Sequence, residues 1–209
     1  MTGTKRAGVL LPAWALFLLL LFTLLFPALA EEKTKEEALI SRMARNYIAA
    51  RGYSGREDFA GLCGECVGFQ LFALGIFPGG AAPDANLCFE HYSEREPRGG
   101  YEKMIFPSPL NGGEYTLESI CRTLDGMNPD GRLTCTVFCF QKGSWSDLGQ
   151  TYGHVLLVYA VYNGKVYWKE SNDKRNHVES IEEFCKRYSE SYGRYVFDGA
   201  ITFIQSEAN

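Results

Sequence analysis

The chain has 209 residues and a mass of 23.4 kDa, the size of one domain. Its 21 Lys and Arg against 25 Asp and Glu give a net charge of −4, and 22% charged with 46% hydrophobic residues is ordinary globular composition. That excludes collagen, a coiled coil, a multi-span membrane protein and a disordered chain, and a mildly acidic balance without a Lys/Arg run argues against nucleic acid as the partner.

Lys5 and Arg6 are the only charges before Glu31, and an apolar run follows from Trp14 to Phe26. Pro27 breaks that run, and Ala28-Leu29-Ala30 places small residues at the two positions a signal peptidase reads. The pattern predicts a cleaved signal peptide over residues 1–30 and a secreted or periplasmic protein. The alternative is an uncleaved membrane anchor, since the run counted from Gly8 is near spanning length. Residues 31–209 then form the folded domain, with 19 basic and 25 acidic side chains. All seven cysteines lie in it, at 63, 66, 88, 121, 135, 139 and 185, where an oxidising compartment permits disulfides. Seven is odd, so three bridges would leave one thiol free.

Thr34-Lys35-Glu36-Glu37 reads as a capping box opening a helix. Leu39, Ile40, Met43, Tyr47 and Ile48 continue it at helical spacing to a stop at Gly52. A second helix is expected from Glu65 to Leu74, ended by Gly75. Residues 78–115 hold Pro78, Pro83, Pro97, Pro107 and Pro109 with three Gly-Gly pairs, and read as an irregular excursion. Thr116 caps a third helix bearing Leu117, Ile120, Cys121 and Leu124. Strands are expected from alternation over Leu133 to Cys139 and from β-branched and aromatic runs at His154–Tyr162, Lys165–Glu170 and Ala200–Ile204. Ser180-Ile181-Glu182-Glu183 is another capping box. Helices first, then a mostly antiparallel sheet, is the α+β class.

The hairpin at Asn163-Gly164 has two possible registers. A two-residue turn puts His154 opposite Asp173 and turns Glu170 and Asn172 away from it. A three-residue loop through Tyr162 makes partner numbers sum to 326, so that His154 faces Asn172 and Leu156 faces Glu170. The second register gathers the apolar residues on one face and leaves Lys165, Lys169 and Ser171 on a wet one, so it is the expected one.

Cys66, near a helix start, would have its thiolate favoured by unpaired N–H groups and the helix dipole. An imidazole beside it would supply the proton for a leaving amine, and a third group would fix the ring. Cys66-Val67-Gly68-Phe69, then Gly153-His154-Val155-Leu156-Leu157-Val158, then Val166-Tyr167-Trp168-Lys169-Glu170-Ser171-Asn172 resembles the papain-like cysteine peptidase superfamily. The likeness is greatest to its CHAP-type amidases, with NlpC/P60-type and C39-type peptidases sharing the residue order. The resemblance implies Cys66 as nucleophile, His154 as base, Glu170 as its orienting group with Asn172 near it, no cofactor, and a peptide or peptidoglycan-type substrate. No glutamine stands before Cys66 in the exported part to serve as an oxyanion donor. Cys63-Gly64 resembles the C39-type Cys-Gly pair and is a rival for the nucleophile.

Other readings stay open. Cys63-x-x-Cys66 has the spacing of thiol–disulfide exchange. Cys63, Cys66, Cys135 and Cys139 are four candidate zinc ligands. A non-catalytic binding module with the same fold is a further possibility. His91 and His177 read as surface residues, and a membrane partner enters only through an uncleaved N-terminal segment.

Overall fold

The structure, a computed structural model, describes residues 13–127, 134–142, 153–188 and 195–206, with backbone alone for 13–29, 134 and 142. The chain divides into two units, Met1–Ala38 and Leu39–Asn209. Helix α1 spans Ala13–Ser54. The expected start at Thr34 is not a start. Its Oγ1 donates to the carbonyls of Ala30 at 2.6 Å and Glu31 at 3.0 Å, the pattern of a threonine inside a helix. Oppositely charged pairs one turn apart, Glu31–Lys35 at 3.0 Å and Lys33–Glu37 at 3.9 Å, favour continuation there. The helix ends only where Gly55 takes a positive φ. Lys5, Arg6 and the start of the expected export segment lie outside the described residues. Among the residues described, no helix is long and apolar enough to cross a membrane.

The larger unit holds a six-stranded antiparallel sheet in the order β1-β6-β2-β3-β4-β5. Its strands are β1 (Tyr101–Pro107), β2 (Thr134–Lys142), β3 (His154–Tyr162), β4 (Lys165–Lys169), β5 (His177–Ser180) and β6 (Tyr195–Gln205). Mixed helix and antiparallel sheet is α+β, as the pattern predicted; Leu133 lies outside the described residues. Alternation along each strand sends side chains to two separate cores. Cys135, Val137, Cys139, Val155, Leu157, Ile201 and Phe203 meet the C-terminal part of α1, α2 (Cys63–Ala73) and α3 (Cys88–Glu94). Phe138, Phe140, Leu156, Val158, Val166 and Trp168 meet α4 (Leu117–Met127) and α5 (Ile181–Arg187). The sheet is therefore covered on both sides, and the expected wet face is absent. Lys169, placed there by the expectation, is only 1% exposed.

Two further expectations change. The stretch 78–115 contains α3 and the edge strand β1, because Cys88, Phe89 and Tyr92 share a buried helix face and β1 pairs with β6 from Tyr101↔Gln205 to Pro107↔Gly199. The prolines and glycines punctuate these short elements instead of abolishing them. His177 is half-buried, stacked on Trp168 with ring centroids 4.1 Å apart. Both remaining caps form as expected: Thr116 and Ser119 exchange bonds at 2.9 and 3.1 Å, and Ser180 with Glu183 makes a full capping box.

The β3–β4 hairpin combines the two registers. Tyr162 pairs with Lys165 across a two-residue turn in which Asn163 and Gly164 both have positive φ. A bulge between Val158 and Ala160 then shifts the ladder by one, so that Val158 faces Trp168 and Leu157 faces Lys169. The far end thus has the expected register, reached through a bulge at Tyr159 and not through a longer loop. One extra residue turns every later side chain of the strand to the other face. It carries Glu170 onto the face of His154.

Candidate active site

The head of α2 is built from tight turns. Gly55 and Gly61 have positive φ, Asp58 Oδ1 accepts from Ala60 N–H at 3.2 Å, and Leu62 N–H donates to Phe59 O at 2.8 Å. Phe59, fully buried, stacks against Phe69 and packs edge-on to Tyr47. Asn172 Oδ1 accepts from Gly61 N–H at 2.9 Å, tying this turn to the chain just after β4. The helix begins at Cys63, two residues before its expected start. Cys66 N–H already donates to Leu62 O at 2.9 Å. The N–H groups without an intrahelical acceptor therefore belong to Cys63, Gly64 and Glu65.

This offset exchanges the two thiols. The His154 ring and the Val155 and Gly64 backbone N–H groups lie close enough to Cys63 to lower its pKa. Burial pushes its pKa up, but the bond and charge of His154 with the two backbone donors outweigh burial and hold the thiol below its ordinary value. Cys66 is fully buried one turn further along, against Tyr47, Ala50 and Phe59. Its Sγ accepts from Gln70 Nε2 at 3.2 Å, and burial pushes its pKa up to about 12. Cys66 is thus a core thiol, in place of the expected partner of His154.

His154 opens β3 and is 4% exposed, its ring stacked over Tyr195 at 5.1 Å and Tyr188 at 6.1 Å. Nε2 sits 3.0 Å from Glu170 Oε2, which leaves Nδ1 for the thiol. Burial alone would lower its pKa; the bonds to Cys63 and Glu170 override burial and raise it to about 9. Glu170 also accepts from Tyr188 Oη at 3.4 Å, and its contact with His154 outweighs burial and keeps it below the ordinary carboxylate value. A lowered thiol, a raised imidazole and a lowered carboxylate are shifts in the direction that favours a thiolate–imidazolium pair with a second anion beside it. Of the four expected site residues, the structure brings His154 and Glu170 together. Asn172 holds the turn before α2 instead of the imidazole, and Cys63 occupies the place expected of Cys66.

A buried network stands behind this arrangement. Tyr159, the bulge residue, donates its hydroxyl to Gln70 Oε1 at 2.6 Å and accepts from Asn46 Nδ2 at 2.6 Å. Asn46 Nδ2 also donates to Gln70 O at 3.2 Å, and Gln70 Nε2 reaches Cys66. The bulge is thereby pinned to α1 and α2. Sequence pattern marked none of Asn46, Gln70 and Tyr159, whose shared feature is a meeting across 113 residues of chain.

All seven cysteines are free thiols. Among the described residues, no group of three or more His, Cys, Asp or Glu could hold a metal ion, which leaves the four-cysteine zinc reading without a cluster. No family model, curated protein or solved structure matches the chain.

Proposed function

We propose that the chain is a cysteine-dependent amide hydrolase of papain-like arrangement, with Cys63 as nucleophile, His154 as acid and base, and Glu170 as the group that orients the imidazole. The observation that carries this is the line of contacts Cys63–His154–Glu170 at the open end of α2. The thiolate sulfur attacks an amide carbonyl carbon, and the carbonyl π pair moves to oxygen. Collapse of the adduct breaks the C–N bond as Nδ1–H of His154 protonates the departing amine, leaving an acyl thioester. The neutral imidazole then takes a proton from water, whose oxygen attacks the thioester. The acid leaves and the ion pair is restored. The resemblance points to peptide or peptidoglycan-type amides, and the N-terminal pattern to action outside the cytoplasm.

One observation favours a second reading. In Cys63-x-x-Cys66 the first thiol is acidified at the helix head and the second is buried behind it, the arrangement of a dithiol exchange pair. Single substitutions separate the two. Hydrolysis of model amides and esters should vanish in Cys63→Ala and survive in Cys66→Ala. Reduction of insulin disulfides lost in both variants, with no hydrolysis by the parent chain, would replace the hydrolase by the exchange protein.

A further inference from the structure

Strand β4 ends at Lys169, and residues 170–176 link it to β5. Among the described residues, 171–175 make no backbone-to-backbone hydrogen bond. Yet this link carries two groups of the site. Glu170 Oε2 lies 3.0 Å from His154 Nε2, and Asn172 Oδ1 accepts from Gly61 N–H at 2.9 Å in the turn before Cys63. A segment without a ladder of its own keeps such side chains in place only if other groups take up its backbone and fix its path.

Lys169 does this from inside. Side chains alternate along a strand, so Glu170 turns to the face of His154 and Lys169 to the other face, toward α1. There Lys169 Nζ donates to Lys174 O at 2.6 Å and to Arg175 O at 2.8 Å, and it stands 4.1 Å from the centre of the Tyr47 ring. An ammonium has three N–H donors, and two carbonyls with one aromatic face occupy it fully. Burying an ammonium is costly unless its donors are used in this way. The two carbonyls lie five and six residues beyond Lys169 itself, so the side chain closes the link into a loop around its own charge. Asp173 Oδ1 tightens the far half by accepting from Arg175 N–H at 2.8 Å. Glu170 and Asn172 both lie within this loop, one directed to the base and the other to the turn that leads to the nucleophile.

Building on the hydrolase reading, we propose that Lys169 is a positioning residue: its ammonium folds segment 170–175, and so holds Glu170 on the imidazole and Asn172 on the turn that leads to Cys63. One buried charge then serves both halves of the site without touching either reacting group.

The direction of a shift at His154 tests it. Removing a cation by itself makes an imidazolium easier to form and raises the pKa of the ring, whereas losing the carboxylate beside the ring lowers it. In full-length Lys169→Met, the His154 pKa followed by NMR of the ring should fall by roughly one to two units, to its value in Glu170→Gln. Combining the two substitutions should lower it no further, since Lys169 acts on the ring through Glu170. Hydrogen exchange at Gly61 N–H should quicken by roughly 2- to 10-fold as Asn172 comes loose. His91, on α3, is the control and should titrate as in the parent chain. Lys169→Gln keeps N–H donors without the charge; it takes the place of Lys169→Met if that variant does not fold, and its His154 pKa should also fall. A His154 pKa that rises or stays put in the folded variant, a further fall in the double variant, or unchanged exchange at Gly61 would overturn the proposal. Acetylation of Cys63 by p-nitrophenyl acetate tests the hydrolase reading separately. If Cys63 of the parent chain takes no acetyl group, that reading fails, and Lys169 positions no catalytic group whatever the ring titration shows.

Discussion

Selective alkylation tests which sulfur the fold has activated, and its size can be worked out. The reacting species is the thiolate. Cys66 is raised from 9.0 to about 12, so at neutral pH its thiolate is roughly 1,000-fold scarcer than that of an ordinary thiol. Thiolates of higher pKa are stronger nucleophiles, and a Brønsted slope near 0.45 returns a factor of roughly 20 to 30 over three units. The net handicap of Cys66 is then about 30- to 50-fold before burial is counted. Since Cys66 is also 0% exposed, iodoacetamide reaches it only through local opening. Cys63 is held below 9.0 by His154. Iodoacetamide at pH 6 to 7, followed by peptide mapping, should give one fast adduct, at Cys63. His154→Ala removes the ion pair and should slow that adduct at least about tenfold at pH 6. A first adduct at Cys66, or a Cys63 rate indifferent to His154, would refute the reasoning.

Hydrolysis should follow a bell in pH. It rises as Cys63 ionises, at a pKa below 9.0, and falls as His154, raised to about 9, loses the proton that the leaving amine needs. Glu170→Gln removes a carboxylate that raises the imidazole, so the alkaline limb should move to lower pH in a kcat/KM profile; an unmoved limb would remove Glu170 from the site. Gly68→Ala, which in an open helix gains about 1 kcal/mol, should here cost about 1–3 kcal/mol in urea unfolding, because the new Cβ would stand 2.4 Å from Gly80 O. A more stable variant would show that segment 80–83 does not lie against α2. Tyr159→Phe leaves Gln70 Oε1 and Asn46 Nδ2 short of a partner and should cost about 1–3 kcal/mol in the same assay. No loss would remove the pin on the bulge.

The caps at Thr116 and Ser180 and the strands around His154 were legible in the residues, because they rest on local periodicity and hydrogen-bonding groups a few positions apart; the shared face of His154 and Glu170 was read from the apolar pattern of the hairpin, which favoured the register its far end takes. What tertiary structure decided was finer. Helix α2 starts at Cys63 with no side-chain cap at Leu62, so no local signal marked the start, and the choice of thiol turned on those two residues. The short strands β1 and β5 exist through their neighbours. The bulge at Tyr159 is held by Asn46 and Gln70 from far along the chain, and it alone reconciles a two-residue turn with a carboxylate on the face of the imidazole. Chemistry-bearing residue types are fixed by sequence; which sulfur meets the ring is a one- or two-residue question of register, and register is set by long-range packing.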